Sequence, residues 1–266
     1  MEVKSGMHEP VRIGCAGWSI SRADAASFPR IGHHLERYST RFNCVEINSS
    51  FYRAHRPSTY ARWAASVPPA FRFAVKMPRA ITHDLRLVGV GSLLDAFFAE
   101  AGALGEKLGC VLVQLPPSFC FERARVARFL AMLRRRHIGD VALEARHASW
   151  FGPPATALMV EHGIARVAAD PAVVPDAALP GGNGRMAYFR LHGSPRMYYS
   201  SYEKKYLTSL ADELRTIAAA GARVWCIFDN TALGAATPNA LEIERLLRQS
   251  PGTVATEKRR MSSMVR

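Results

Sequence analysis

The chain has 266 residues, 48% of them apolar, and a formal net charge of +13. That apolar share can supply a sizeable core, no run approaches the ~18 apolar residues of a membrane span, and MEVKSGMHEP lacks the apolar stretch of a secretory signal. Five cysteines with no CxxC pair argue for buried reduced thiols over disulfides or a metal cluster, so a cytoplasmic protein is expected.

Eight strand-like runs follow one another: RIGCAG from Arg12, CVEIN from Cys44, RFAVK from Arg72, CVLVQL from Cys110, VALEAR from Val141, RVAAD from Arg166, AYFRLH from Ala187 and VWCIFDN from Val224. Helical signals fill most of the gaps. Ser58 can cap Thr59–Ser66, and Thr237 followed by Pro238 suits the start of Asn239–Arg248. Gly91–Gly105, Glu122–Arg136, Pro154–His162 and Glu203–Ala220 show helical periodicity. The stretch PAVVPDAALPGGNG after Asp170 has no helical pattern and reads as an irregular sixth crossover. Repeated strand–helix units imply a parallel sheet, and eight of them imply one TIM-like (β/α)8 barrel over 11–250. A doubly wound open sheet is the alternative fold. Residues 1–10 and 251–266 are expected to be flexible ends, the second a basic tail.

Seven of the eight runs carry a charged, amide or imidazole residue at or next to their C-terminal end. In a parallel barrel the site lies at that end. Strand alternation then sorts the side chains. Val45 and Ile47 share one face while Glu46 and Asn48 share the other; Lys76 goes with Ala74, Gln114 with Leu112, Glu144 with Arg146, and Tyr188, Arg190 and His192 fall together. The expected inward set is Glu46, Asn48, Lys76, Gln114, Glu144, Arg146, Asp170, Arg190, His192 and Asp229. Its four carboxylates and three fixed cations balance to within one charge, as buried charges must.

The loops after these strands add Arg53, Arg56, Arg79 and Arg196, with Phe51, Tyr52, Trp150, Tyr198, Tyr199 and Tyr202. Arginines among aromatics suit an anionic ligand with a flat face. Gly193 and Ser194 lie in the loop after the seventh strand, where barrels often bind phosphate. Most of the net charge lies elsewhere. Glu122–Arg136 holds six arginines against one glutamate, and with the tail Glu257–Arg266 it accounts for eight of the thirteen charges. Arg134–Arg136 would lie in the last turn of that helix, facing the barrel bottom.

The runs IGCAGWS, FNCVEINSSFYR, FRFAVKMPRAITHD, VLVQLPPSF, VALEARHASWF, YFRLHG and IFDNT, in that order over Arg12 to Arg248, resemble domain-of-unknown-function family 72, the YecE-like proteins. The resemblance implies a TIM-barrel-like fold and no established activity. The family's motif positions fall here on Gly14, Gly17, Trp18, Glu46, Asn48, Phe51, Tyr52, Lys76, Gln114, Glu144, Arg146, Arg190, His192, Gly193, Asp229 and Asn230.

Three functions compete. The first is an enzyme acting on an anionic, phosphate-bearing small molecule. In it Glu46, Glu144, His192 and Asp229 handle protons, while Asn48, Tyr52, Lys76, Gln114, Arg146, Arg190 and Asn230 bind substrate. The second is metal-assisted phosphodiester hydrolysis, with Mg²⁺, Mn²⁺ or Zn²⁺ held by Glu46, Glu144, Asp170, His192 or Asp229, although no HxH or HExxH spacing is present. The third is non-catalytic nucleic-acid binding through the basic helix and tail. No cofactor is named by the sequence.

Overall fold

The computed structural model describes residues 11–249; the expected flexible ends at 1–10 and 251–266 lie outside the described residues. The chain runs β1 (Arg12–Cys15), α1 (His34–Ser39), β2 (Cys44–Ile47), α2 (Pro57–Ala65), β3 (Arg72–Lys76), α3 (Gly91–Ala101), β4 (Leu108–Gln114), α4 (Arg123–Arg134) and β5 (Val141–Glu144). It continues through α5 (Pro153–Glu161), β6 (Ala165–Arg166), β7 (Ala168–Asp170), β8 (Gly181–Gly182), β9 (Met186–Leu191), α6 (Lys204–Ala219), β10 (Arg223–Phe228) and α7 (Ala236–Arg248). No helix among the described residues is long and apolar enough to cross a membrane.

Hydrogen bonds join β1, β10, β9 and β7, in that order, into one sheet, and β2, β3, β4, β5, β6 and β8 into a second. Every pairing is parallel except that of β6 with β8. The fold is therefore α/β with mainly parallel sheets. The sheets meet along two seams. On one side β6 and β7 are a single run of chain broken at Val167, with β6 pairing β5 and β7 pairing β9. On the other, Ala16 and Glu46 form one isolated bridge, and the Gly17 amide donates to the Glu46 carbonyl at 2.9 Å.

Alternation along the strands builds two apolar layers. Val45, Val75, Val113, Leu143 and Phe189 face outward and pack under the helices. Cys44, Ala74, Leu112, Ala142, Tyr188, Trp225 and Ile227 face inward, where the inner faces of both sheets share one core. Trp225 stacks on Tyr188 there at 5.8 Å between ring centres. Each buried large side chain contributes about 1.5–3 kcal/mol relative to exposure, so this double layer supplies the platform under the strand ends.

The helices depart from the sequence reading at their ends. Helix α2 begins at Pro57 after Arg56, so proline at the first helical position starts it and Ser58 does not cap it. Helix α7 begins at Ala236, which puts Thr237 and Pro238 inside the first turn. Helix α3 stops at Ala101, and the chain continues as a tighter 3₁₀ segment to Lys107. Helix α1 had no assigned signal. His33 and Glu36 close it with a reciprocal capping box. The sixth crossover is irregular, as read, with a 3₁₀ turn at Pro175–Ala178 before β8.

Gly14 marks how closely β1 approaches β2. A Cβ there would fall 2.2 Å from the Cys44 carbonyl oxygen, so any side chain must push backbone apart. Gly14→Ala is expected to cost at least about 2 kcal/mol, seen as a lower urea midpoint at unchanged slope. An unchanged midpoint would show that these strands can part freely.

Candidate functional site

One step beyond the inner apolar layer, the same strand faces turn polar. Cys44 is followed two residues on by Glu46, Ala74 by Lys76, Leu112 by Gln114, Ala142 by Glu144, Tyr188 by Arg190 and Ile227 by Asp229. The parallel register sets these residues side by side at the strand C-terminal ends. His192 and Arg146 extend the layer just past β9 and β5.

Arg190 is the centre. It is 0% exposed and is gripped by three carboxylates. Its Nε donates to Glu46 Oε2 at 3.0 Å and its Nη2 to Glu46 Oε1 at 2.6 Å, a bidentate pair. Nη2 also donates to Asp229 Oδ2 at 2.9 Å, and Nη1 to Glu144 Oε2 at 2.5 Å. The Tyr188 hydroxyl adds a further donor to Glu46 Oε2 at 2.8 Å. These carboxylates hold the Arg190 proton affinity well above the usual guanidinium range, outweighing the opposite effect of burial.

His192 bridges the remaining oxygens. Its Nδ1 lies 3.0 Å from Asp229 Oδ2 and its Nε2 3.1 Å from Glu144 Oε1. With a carboxylate on each ring nitrogen the imidazolium is favoured, and the pKa rises despite burial. Burial opposes ionisation of Glu144, yet the Arg190, His192 and Arg146 charges hold its carboxyl well below the ordinary range. Asp229 is lowered for the same reason by Arg190 and His192.

The open face differs from this saturated interior. Arg146 donates through Nε to Glu144 Oε1 at 2.8 Å, but its Nη1 and Nη2 reach only the Tyr198 hydroxyl, at 3.4 and 3.3 Å; the 3.4 Å approach of Nη2 to His192 Nε2 sets two donors face to face when the ring is protonated. Lys76, 8% exposed, forms no side-chain hydrogen bond or ion pair among the described residues. Its Nζ lies 4.2 Å from the centre of the Phe51 ring, a cation–π contact. Desolvation, reinforced by the Arg190 charge, lowers its pKa to about 8. Asp229 Oδ1 is met by Asn48 Nδ2 alone, at a long 3.3 Å. Gln114 Oε1 and Asn48 Oδ1 are buried with no partner at all.

Loops hold this face in place. The Ser50 hydroxyl donates to the Lys76 carbonyl at 2.6 Å and so seats Phe51 against the lysine. Tyr198 packs edge-on to His192 at 5.6 Å with a backbone φ of +69°, a left-handed conformation that costs a non-glycine residue roughly 1–3 kcal/mol. Gly193 permits the preceding turn. Its φ is +94°, and a Cβ there would meet the Ser200 carbonyl at 2.7 Å.

Several expected residues lie elsewhere. Asp170 turns away from the cluster and accepts from the Tyr202 hydroxyl at 2.8 Å, so three carboxylates converge and not four. Tyr52 is 78% exposed at the rim, where it lines a cleft of about 360 Å³ with Arg53 and Arg79. Asn230 is buried beside the site, its Nδ2 tying Ser200 to Asn239. Trp150 is a core residue, with Nε1 donating to the Phe119 carbonyl. Tyr188, placed by parity on the same face as Arg190 but left out of the expected set, is a partner of Glu46, and His83, 4.9 Å from the Phe51 ring centre, was not singled out. His83 packs edge-on against Phe51, and burial with the Lys76, Arg79 and Arg146 charges lowers its pKa.

Parts of the two other readings can be set against the structure, although the basic tail lies outside the described residues. The metal reading needs carboxylates that Arg190 already occupies, and among the described residues no group of three or more His, Cys, Asp and Glu side chains could hold a metal ion. On the basic helix, Arg134 is spent on the carbonyls of His162, Gly139 and Gly163, while Arg136 pairs with Asp95 and Arg125 with Glu122. Half of its arginines are thus engaged within the fold.

Residues 12–263 match the sequence profile of a family described as protein of unknown function DUF72. The chain is 33% identical to UPF0759 protein YunF of Bacillus subtilis (strain 168) over 156 residues, 54% of this chain and 53% of that protein. It is 32% identical to UPF0759 protein YecE of Escherichia coli (strain K12) over 110 residues, 41% of this chain and 39% of that one. The match thus spans about half or less of these curated relatives. Among solved structures, a DUF72 family protein of Thermotoga maritima MSB8 aligns with a TM-score of 0.75 at 25% identity, covering 90% of this chain and 99% of the other. One from Enterococcus faecalis V583 also gives 0.75, at 21% identity and 91% and 96% coverage, a likeness of fold.

The ion-pair cluster predicts both a mutational cost and a pH dependence. Glu46→Gln strips a buried guanidinium of its bidentate partner and is expected to cost about 3–5 kcal/mol in chemical denaturation. His192 has a folded-state pKa raised above 6.5, so its stabilisation is complete below 6.5 and is lost as pH rises through the folded value. Glu144 and Asp229, being lowered, contribute above their unfolded values and lose that only as pH falls through the folded ones. The stability gap between wild type and His192→Gln should therefore be widest near pH 6 and narrow toward pH 9. A gap that stays flat across that range would contradict a protonated His192.

Proposed function

The chain belongs to the DUF72 family of proteins of unknown function, and on that premise we propose an enzyme that binds a small anionic molecule at the strand C-terminal ends and acts on it by proton transfer. A phosphate-bearing substrate is the leading class. The eight strands are read as a (β/α)8 barrel whose mouth is the site. That reading is supported by the Ala16–Glu46 bridge, the continuous β6–β7 run and the inner core shared by both sheets.

The observation that carries the anion is the distribution of charge. Four cations, with His192 protonated, face three carboxylates, and the carboxylates are consumed beneath the surface by Arg190 and His192. The excess charge is left at the open face on Lys76 and on the weakly engaged Arg146. Arg190 supplies the hub and not the clamp, because its donors are already given to carboxylates. Glu46 has its oxygens filled by Arg190 and Tyr188 and acts as a positioning residue. Asp229 Oδ1 is the least satisfied carboxylate oxygen and takes the role of general base, held in place by His192.

Calorimetric titration of the protein with inorganic phosphate at low ionic strength tests this. Arg146→Met should weaken binding at least about tenfold, roughly 1.4 kcal/mol, while Arg128→Ala on the basic helix should leave it unchanged. Binding that Arg146→Met does not alter, or that Arg128→Ala weakens equally, would place the anion elsewhere.

A further inference from the structure

We propose that Lys76 is a nucleophile that forms an imine with its substrate, which makes the substrate a small hydroxylated carbonyl compound bearing one anionic group. The proposal rests on the anion-binding reading of the mouth and adds a reaction to it.

The geometry around Lys76 differs from that of a neutralising lysine. Three carboxylates are near enough for their charge to act on it, yet none pairs with it, because Arg190 and His192 take their oxygens. Arg146 and Arg190 each hold at least one carboxylate in hydrogen bonds. Among the described residues the Lys76 ammonium meets the face of Phe51 at 4.2 Å and no hydrogen-bond acceptor. A lysine shielded from water, unpaired and next to a guanidinium is in the environment that favours the neutral, nucleophilic amine. Its lowered pKa, about 8, points the same way.

The neighbouring groups complete the requirement. Gln114, 6% exposed, has an Oε1 without a partner, and so has Asn48 at Oδ1. Unfilled buried acceptors are costly, and hydroxyl groups on a ligand would fill both. Arg146 would take the anionic end. In the step itself the Lys76 amine attacks the carbonyl carbon and forms a C–N bond as the C=O π pair moves to oxygen. That oxygen takes one proton from the attacking nitrogen and a second from solvent and leaves as water, giving an iminium ion. Asp229 Oδ1 can then remove a proton from the adjacent carbon to give an enamine; return of a proton to carbon restores the iminium, and addition of water releases the carbonyl compound and the free amine. No oxidant or reductant is needed.

The test is reductive trapping. The full-length protein is incubated with dihydroxyacetone phosphate and sodium cyanoborohydride, and the modified lysine is mapped by peptide mass spectrometry. The adduct should form on Lys76 at least about tenfold faster than on the exposed Lys204 and Lys205. Lys76→Arg should abolish it. Labelling of Lys76 no faster than of Lys204 and Lys205 overturns the proposal. If phosphate still binds in that case, the anion site stands without the imine; if wild type binds no phosphate, the anion reading falls as well.

Discussion

The structure depends on one guanidinium placed where no water reaches it. Arg190 stands on β9 and donates hydrogen bonds to Glu46 of β2, Glu144 of β5 and Asp229 just beyond β10. Glu46 and Glu144 belong to one hydrogen-bonded sheet; Arg190 and Asp229 go with the other. The ion pairs therefore cross between sheets that backbone hydrogen bonds join only sparsely. A buried network of this kind gains little over apolar packing, but removing one member leaves an uncompensated charge. Its role is to fix which strand ends sit together.

Everything open to a ligand follows from what that network consumes. The carboxylates are drawn inward and neutralised, so what remains unspent is two cations, two buried amide oxygens without partners and one lightly held carboxylate oxygen. The Phe51 and Tyr198 loops then set its shape, the first pinned by Ser50 to the end of β3 and the second by a left-handed residue. A strand layer that begins with Cys44, Ala74 and Leu112 thus passes to Glu46, Lys76 and Gln114 within a single alternation.

Much of this was legible in the sequence because strand parity is a rigid rule. Glu46, Lys76, Gln114, Glu144, Arg190 and Asp229 follow small or apolar inward residues by two positions, and that is enough to place them on one face. Parity says nothing once a strand ends or breaks. Asp170 was misplaced because the chain breaks stride at Val167 and Tyr202 captures the carboxylate. Trp150 looked like a rim aromatic because its loop is short and polar, while its indole is drawn into the core by the Phe119 carbonyl. Nor could parity say which arginine is surrounded by carboxylates and which is only partly engaged. Arg190 and Arg146 read alike in sequence, and only the distances separate a filled fork from a half-empty one.

The break at Val167 also bears on how the molecule would come apart. Along that line the sheets share a covalent strand, and along the opposite line backbone hydrogen bonds are few, so an opening there must break the buried Arg190 pairs with Glu46 and Glu144 that cross it. Such an opening divides the polar cluster into halves, with Lys76, Gln114 and Arg146 on one and His192 and Asp229 on the other. A molecule held jointly by Arg146 and Asp229 would span the division and act as a clasp. Its binding energy would be spent on slowing amide exchange in β1 and β7, far from any atom it touches in β3 or β4.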